Sequence, residues 1–245
     1  MENPLYVALS QQMALRRQLD VTAHNIANLN TVGYRAERPV FSSFVQPTAS
    51  DVRSNFVIDR ATYTVTREGA LRETGSQFHL AIRGDGYFTV QGQDGPRYTR
   101  DGRFQTDDLG RLVTHSGKPV LDQGGGEILI PEDAARVDIA KDGTVSTTDQ
   151  AGNPRILGQI GLVDFDNTQA LMREEGGLYR AEEAPQLARD TQVIQGMVEE
   201  SNVQAITEMT RLMEFSRAYS STSKLIEGEH ERQRDMLSTI GNPRV

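Results

Sequence analysis

Hydrophobic residues recur at a spacing of three to four near both ends of the chain, and this spacing predicts a helix at each end. In the N-terminal segment, Asn3 can cap the helix, and Pro4 suits its first turn, where no amide donor is needed. We therefore expect the first helix to cover residues 4–29. The apolar positions of this helix are Leu5, Leu9, Leu19, Ala23 and Ile26.

The C-terminal segment carries a longer apolar stripe at near-heptad spacing, which is typical of a helix that packs along another helix. Ser201 and Gln204 have the spacing of a capping box at its start, and Gly228 interrupts the stripe. The stripe consists of Ala205, Leu212, Phe215, Tyr219, Thr222, Ile226, Gln233, Met236 and Ile240, with a second row of Val203, Ile206, Met209 and Met213.

Neither predicted helix can bury its apolar stripe alone, because isolated helices are marginal in water and gain most of their stability from packing. The two helices could pack on each other, on other chains, or on the central part of this chain. Periodicity alone leaves these arrangements open.

Between the predicted helices, short β-branched and aromatic runs alternate with glycine-containing turns, which predicts an antiparallel β domain. All but three of the 22 glycines lie in residues 39–196, and glycine weakens a helix interior by about 1 kcal/mol relative to alanine. The turn Gly84-Asp85-Gly86 separates two such runs and predicts a β hairpin. The predicted fold is a mainly β, antiparallel central domain flanked by N- and C-terminal amphipathic helices.

Charge and composition disfavour several classes of protein. The formal net charge is −8, whereas a nucleic-acid partner would require a basic face. Cysteine is absent, so the chain can form no disulfide, thiolate nucleophile or cysteine metal site. We find no run of about 18 apolar residues and expect no membrane-spanning segment. Polar residues near the N-terminus also lead us to expect no cleaved signal peptide.

We find no cluster of residues that predicts a catalytic, cofactor or metal site. The four histidines lack a second histidine or a carboxylate at metal-ligand spacing. Gly124-Gly125-Gly126 precedes a glutamate and a strand, which indicates a flexible loop rather than a phosphate cradle. Asp107-Asp108 lacks the alternating ligands of a calcium loop and indicates a solvated turn. We therefore expect no enzyme activity, no cofactor and no small-molecule substrate.

The segment from His24 to Arg35 resembles the N-terminal signature of the bacterial flagellar rod and hook proteins. That signature usually reads Asn-Ile-Ala-Asn-x-x-Thr-Pro-Gly-Tyr-Lys, and here Val32 stands at the proline and Arg35 at the lysine. Residues 80–88, 97–104 and 110–121 resemble central motifs of the family, and residues 200–203 and 217–219 resemble its C-terminal helix. Chain length and residues 2–10 are most similar to the proximal-rod members.

This resemblance implies a structural subunit of the flagellar basal body. Family members leave the cytoplasm unfolded through the flagellar type III export apparatus, and they assemble in the periplasm into a helical tube. This tube transmits torque and conducts exported subunits, and the partners of each subunit are other rod proteins and copies of itself. The terminal helices are often disordered until assembly, when they pair as a coiled coil in the inner wall while the β domain faces outward.

On this basis we divide the chain into five parts: an N-terminal axial helix and turn (1–33), an extended connector (34–75), the antiparallel β domain (76–165), a return connector (166–200) and the C-terminal axial helix (201–245). The predicted assembly interface consists of Leu5, Leu9, Leu19, Ala23, Asn25, Ile26, Ala27, Asn28, Val203, Ile206, Leu212, Phe215, Tyr219, Ile226 and Met236.

The amide side chains in this interface have a predicted role. Asn25 and Asn28 are three residues apart and share a helix face, and each amide can donate and accept hydrogen bonds. In the assembled rod we expect them to bond the backbone of a neighbouring helix, which the small Ala23 and Ala27 would allow to approach. In the isolated chain, Asn25 and Asn28 could instead be solvated.

The residues that follow form the predicted turn from the helix into the central domain. Asn30 and Gly33 tolerate a positive φ, and we place Thr31 and Tyr34 in the same turn. A simpler interpretation is that Asn30 and Gly33 only end the helix.

Three other functions remain open at this point. The chain could be a distal-rod or hook-type axial protein, although a hook protein would carry a longer central insertion. It could be a β-domain binding module with helical ends, although the sequence has no visible cell-wall anchor motif. It could be a hydrolase acting on the cell wall, although no candidate catalytic acid stands out.

Overall fold

A computed structural model of the protein describes residues 3–47, 53–150, 152–188 and 191–241, which form two compact units. We call Met1–Ala27, Glu37–Val65 and Gln204–Val245 the helical unit, and Asn28–Ala36 and Thr66–Val203 the β unit. A helix near each end and a mainly antiparallel β region between them confirm the predicted fold class at this level.

The helical unit contains helix α1 (Asn3–Ala27), helix α2 (Ala205–Gly241) and a hairpin of strands β1 (Glu37–Pro47) and β2 (Arg53–Thr64). Helix α1 is free of glycine, which favours an uninterrupted helix. It contacts both α2 and the hairpin. The hairpin lies inside residues 34–75, which the sequence analysis assigns to an extended connector.

Helices α1 and α2 run antiparallel. The Gln12 side chain donates to the Ser223 hydroxyl at 2.8 Å, and near the other end of α1 the Asn25 amide lies 3.5 Å from a carboxylate oxygen of Glu208. The inner face of α1 buries residues such as Leu15. The stripe predicted for α1 is only partly buried, since Leu5, Leu19 and Ile26 are half-buried and Leu9 and Ala23 are exposed.

The start of α2 differs from the prediction. The helix begins at Ala205, so the capping box predicted from Ser201 and Gln204 is wrong. The Ser201 hydroxyl instead accepts a hydrogen bond from the amide of Val203, which also precedes the helix. The Asn202 amide donates to the Tyr34 carbonyl at 3.3 Å, and this pairing with another segment keeps residues 199–203 out of the helix.

The β unit, over its described residues, contains one six-stranded sheet, one three-stranded sheet and three strand pairs. The six-stranded sheet has the order β13-β14-β6-β5-β12-β15, the three-stranded sheet the order β11-β10-β9, and the pairs are β16-β4, β17-β3 and β7-β8. The strands are β3 (Leu71–Glu73), β4 (Leu80–Arg83), β5 (Tyr87–Gly92), β6 (Gly95–Thr99), β7 (Phe104–Thr106), β8 (Leu112–Thr114), β9 (Ala134–Ile139), β10 (Thr144–Asp149), β11 (Pro154–Gln159), β12 (Leu162–Asp164), β13 (Met172–Glu174), β14 (Leu178–Arg180), β15 (Gln186–Leu187), β16 (Gln192–Gln195) and β17 (Met197–Glu199).

The β unit has two hydrophobic clusters, and the larger one packs most of these strands together. Leu80, Phe88, Val90, Val120 and Ile160 are completely buried in it. The strands do not stop at residue 165, the end of the predicted β domain. Strand β14 pairs with β6 and β16 with β4, so the predicted return connector contributes to the sheets.

The hairpin predicted around Gly84-Asp85-Gly86 is wrong in its pairing. Strand β4 pairs with β16, whereas β5 pairs with β6 and β12, so the chain passes from one sheet to another at this turn. The hairpin that does form joins β5 to β6, with Gly92 opposite Gly95. A glycine-rich turn indicates a change of chain direction but does not determine which strand becomes the partner.

Candidate assembly site

The end of α1 is tied to the start of β1 by a single amide side chain. Asn25 is completely buried. Its Nδ2 donates to the Glu37 carbonyl and its Oδ1 accepts from the Glu37 amide, both at 2.9 Å. Because one side chain satisfies both main-chain groups, it fixes the direction in which the chain leaves the helix.

A buried carboxylate joins the same region to α2. Glu208 is 1% exposed, and it accepts hydrogen bonds from both terminal nitrogens of Arg38 and from Arg211 at 3.1 Å. Burial raises the pKa of Glu208, but the hydrogen bond and charge of Arg38 and the charge of Arg211 outweigh it, so the pKa lies below its ordinary value. Glu208 therefore stays ionised and holds α1, β1 and α2 together.

The turn after α1 is closed by its own residues. The Thr31 amide donates to the Asn28 carbonyl at 3.2 Å, and the Thr31 hydroxyl donates to the Asn28 side chain at 3.0 Å. Gly33 follows with a φ of 70°, and its amide donates to the Glu199 carbonyl at 2.8 Å. This positive φ agrees with the prediction made for Gly33.

Three charged side chains meet inside the β unit beside this turn. Arg35, Arg100 and Glu199 are each at most 2% exposed. One carboxylate oxygen of Glu199 accepts from Arg100 at 2.9 Å, and the other lies 4.0 Å from Arg35 and accepts from the Gly69 amide at 3.1 Å. Two buried guanidinium groups thus share one carboxylate, and we call these three residues the buried ion cluster.

Aromatic side chains surround the buried ion cluster. The guanidinium of Arg173 lies 4.3 Å from the centre of the Tyr34 ring and donates to the Arg35 carbonyl at 2.8 Å. The guanidinium of Arg100 lies 5.5 Å from the centre of the Tyr87 ring. Burial raises the pKa of Tyr87 despite the opposing charges of Arg35 and Arg100, so its hydroxyl is neutral at physiological pH.

Within the β unit, the side chain of Asn202 holds the segment that precedes α2. The Asn202 side chain accepts from the Ala36 amide at 2.8 Å and donates to the Arg67 carbonyl at 2.7 Å. Sequence reasoning missed the roles of Asn202, Glu199 and Glu208. Apart from Arg211, which follows Glu208 by three positions, their partners lie 99 or more positions away in the chain, so no local spacing indicates them.

The structure changes the interpretation of the two asparagines. Asn25 is neither solvated nor available to a neighbouring helix, because its amide is used inside the helical unit. Asn28 is half-buried and closes its own turn. The small Ala23 and Ala27 of the same interface are exposed, and contact of these residues with a neighbouring subunit stays a prediction.

Two apolar helix faces remain exposed in the helical unit. The α1 face consists of Tyr6, Leu9 and Met13, and the α2 face consists of Ile206, Met209 and Met213, with exposed fractions from 45% to 83%. Within each face the residues are three and four positions apart, so they share one side of their helix. These faces stay exposed although the two helices pack on each other, and Leu225 and Met236 of α2 are exposed as well.

The other predicted interface residues are divided between exposed and half-buried positions. The exposed ones are Leu9, Ala23, Ala27, Ile206 and Met236. The half-buried ones are Leu5, Leu19, Ile26, Asn28, Val203, Leu212, Phe215, Tyr219 and Ile226.

Within the described ranges, no group of three or more His, Cys, Asp or Glu side chains is placed to hold a metal ion. Neither described helix combines the length and the apolar character needed to span a membrane.

Three family descriptions match separate parts of the chain. Residues 5–35 match "Flagella basal body rod protein", residues 81–147 match "Flagellar hook protein FlgE/F/G D1 domain", and residues 194–239 match "Flagellar basal body rod FlgEFG protein C-terminal". The first match includes Asn25 and Gly33, and the third includes Glu199, Asn202 and Glu208.

Full-length relatives give the same picture. The "Flagellar basal-body rod protein FlgF" of Caulobacter vibrioides is 42% identical over 98% of this chain and 99% of its own length. The FlgF of Rhizobium meliloti is 36% identical over the full length of both chains. The "Flagellar basal-body rod protein FlgG" of Bacillus subtilis is 34% identical over 96% of this chain and 97% of its own length.

Proposed function

Because the chain belongs to the flagellar basal-body rod protein family, we propose that it is a structural subunit of the proximal rod that binds copies of itself and other rod proteins. The observation that carries this proposal is the pair of exposed apolar faces on α1 and α2. Contiguous exposed apolar surface is typical of a protein–protein interface. Two different faces on one chain suit a head-to-tail contact, and repetition of such a contact generates a helical filament.

In this proposal the α1 and α2 faces become buried when subunits stack, and the helices of neighbouring subunits pair as a coiled coil around a central channel. The resulting tube transmits torque and conducts exported subunits. The chain reaches its site in the periplasm through the flagellar type III export apparatus, without cleavage of a signal peptide. The exposed second apolar row of α2, Ile206, Met209 and Met213, supports the helix pairing.

A distal-rod position is the second candidate within the family. The relatives named FlgG, which are 34% identical in Bacillus subtilis and 33% identical in Caulobacter vibrioides, support it. The higher identity to the FlgF of Caulobacter vibrioides favours the proximal assignment. The named relatives are all rod proteins, which argues against the binding-module and hydrolase interpretations.

Deletion of the gene, followed by electron microscopy of basal bodies, tests the proposal. We expect rods that are missing or stop at the proximal segment, and the wild-type gene should restore them. Complete rods in the deletion strain would contradict the proposal, and rods that stop beyond the proximal segment would favour the distal assignment.

A matched pair of variants then tests the faces themselves. Ile206→Asp places a charge on the α2 face, whereas Ile156→Asp places one at a similarly exposed position of the β unit (83% and 73% exposed). We expect Ile206→Asp to fail to restore rods and Ile156→Asp to restore them. Equal restoration of rods by both variants would contradict the proposal that the α2 face belongs to the interface.

A further inference from the structure

The sulfur chemistry of this chain is restricted to methionine. Cysteine is absent, so an oxidant that reaches the folded protein finds no thiol. Thioethers are then the softest nucleophiles in the chain, and their oxidation depends on exposure. The exposure of each methionine therefore determines where an oxidant reacts.

Three of the most exposed methionines lie on the two helix faces. Met13 is 67% exposed on the α1 face, and Met213 and Met209 are 54% and 49% exposed on the α2 face. Met172, in strand β13 of the β unit, is 48% exposed and differs in one respect. Its sulfur accepts a hydrogen bond from Arg180 at 3.1 Å, which engages a lone pair.

Oxidation of these three side chains would change the character of the faces. Methionine is flexible and apolar, and it adapts to irregular partner surfaces. The sulfoxide is polar and chiral, and its oxygen is an unpaired acceptor when it is buried against apolar side chains. Oxidation therefore places a polar group within each apolar face.

We propose that Met13, Met209 and Met213 are oxidation sites at which a hydroperoxide blocks the docking of a second copy of this chain. The thioether sulfur attacks one peroxide oxygen and forms a sulfur–oxygen bond while the oxygen–oxygen bond breaks. The sulfur loses two electrons, and hydrogen peroxide is reduced to one molecule of water. The proposal rests on the proposed function, because it assumes that these faces bind another subunit.

The test compares untreated protein with protein treated with hydrogen peroxide. Peptide mass spectrometry locates each added oxygen, circular dichroism checks that the helices persist, and sedimentation velocity over a rising concentration series measures self-association. We expect oxygen at Met13, Met209 and Met213, and an increase of about tenfold in the concentration needed for association. Methionine sulfoxide reductases should reverse the effect.

Two variants provide the controls. Met13→Leu/Met209→Leu/Met213→Leu keeps apolar side chains of similar volume, so it should associate like the wild type and resist peroxide. Met172→Leu should associate normally and remain sensitive to peroxide. Either unchanged association of protein oxidised at all three sites or equal sensitivity of the triple variant would overturn the proposal. If untreated protein does not associate at any concentration, this inference fails, because it assumes self-association, whereas the gene deletion still decides the proposed function separately.

Discussion

At the scale of single residues, Gly33 occupies a position that other residue types do not fit. Its φ of 70° lies in the left-handed region, where a side chain is strained. A Cβ atom at this position would also lie 2.5 Å from the carbonyl carbon of Arg100. Backbone and packing therefore both require glycine where the chain turns after α1.

Gly33→Ala should destabilise the β unit, and Gly75→Ala provides a matched control. Gly75 has almost the same φ of 71°, but a Cβ atom there would meet nothing within 4 Å. We expect a cost of about 1–3 kcal/mol from the backbone alone at Gly75 and a larger cost at Gly33. Chemical denaturation of the two variants measures the difference, and equal losses would show that the close approach to Arg100 is unimportant.

Glu199 is the only carboxylate of the buried ion cluster. Loss of its charge should therefore lower the free energy of unfolding more than loss of the charge of Glu200. Glu199→Gln leaves Arg35 and Arg100 buried without a counter-charge, and breaking a buried pair in this way costs about 3–5 kcal/mol. Glu200→Gln removes one partner of an exposed pair with Arg72 and should cost at most about 1 kcal/mol. Similar unfolding midpoints for both variants would contradict this account of the cluster.

At the scale of elements, Glu208 connects the end of α1, the start of β1 and the first turn of α2. The ionised carboxylate is the form that Arg38 and Arg211 bind, so the folded pKa lies below the unfolded pKa. Such a group contributes stability at pH values above the unfolded pKa of about 4.3, and the contribution is lost as the pH falls through the folded pKa.

The stability of the helical unit should therefore decline in acid, and Glu208→Gln should reduce that decline. An acid titration followed by circular dichroism at the helix band measures the effect. Glu214→Gln, at an exposed position on α2, should lose its helix signal in acid as the wild type does. An unchanged acid response of Glu208→Gln would mean that Glu208 does not link the pH to the packing of the helices.

The elements differ in how far their sequence determines them. Helices α1 and α2 were predictable because their apolar spacing and low glycine content are local properties. The start of α2 was not, because Asn202 pairs with the distant Tyr34 and holds the preceding segment out of the helix. The partner of β4 was also not predictable, since a glycine-rich turn gives no information about a strand more than 100 residues away.

The same distinction applies to the candidate site. The motif from His24 to Arg35 indicates the segment that contains Asn25 and Gly33, and Gly33 has the predicted positive φ. Asn25 was assigned to a neighbouring subunit because its partners, Glu37 and Glu208, could not be identified from spacing. Residue type alone does not show whether a charged side chain is buried in the fold or exposed to solvent.

At the scale of the whole molecule, the buried carboxylates Glu199 and Glu208 are paired inside the chain, whereas the α1 and α2 faces are exposed. The buried ion cluster and Glu208 belong to the packing of the single chain. In the proposed function, the α1 and α2 faces are the surfaces that bind other subunits. The order–disorder change of the terminal helices that the family resemblance implies stays a prediction.

Thiol labelling of assembled basal bodies tests the burial of the α2 face most directly. Because the chain has no cysteine, Ile206→Cys and Ile156→Cys each introduce a single thiol. In the free chain both thiols should react rapidly with a soluble maleimide. In purified basal bodies we predict that Ile206→Cys is protected while Ile156→Cys reacts at its free rate. Reaction of Ile206→Cys in the basal body as fast as in the free chain would contradict the proposal that assembly buries this face.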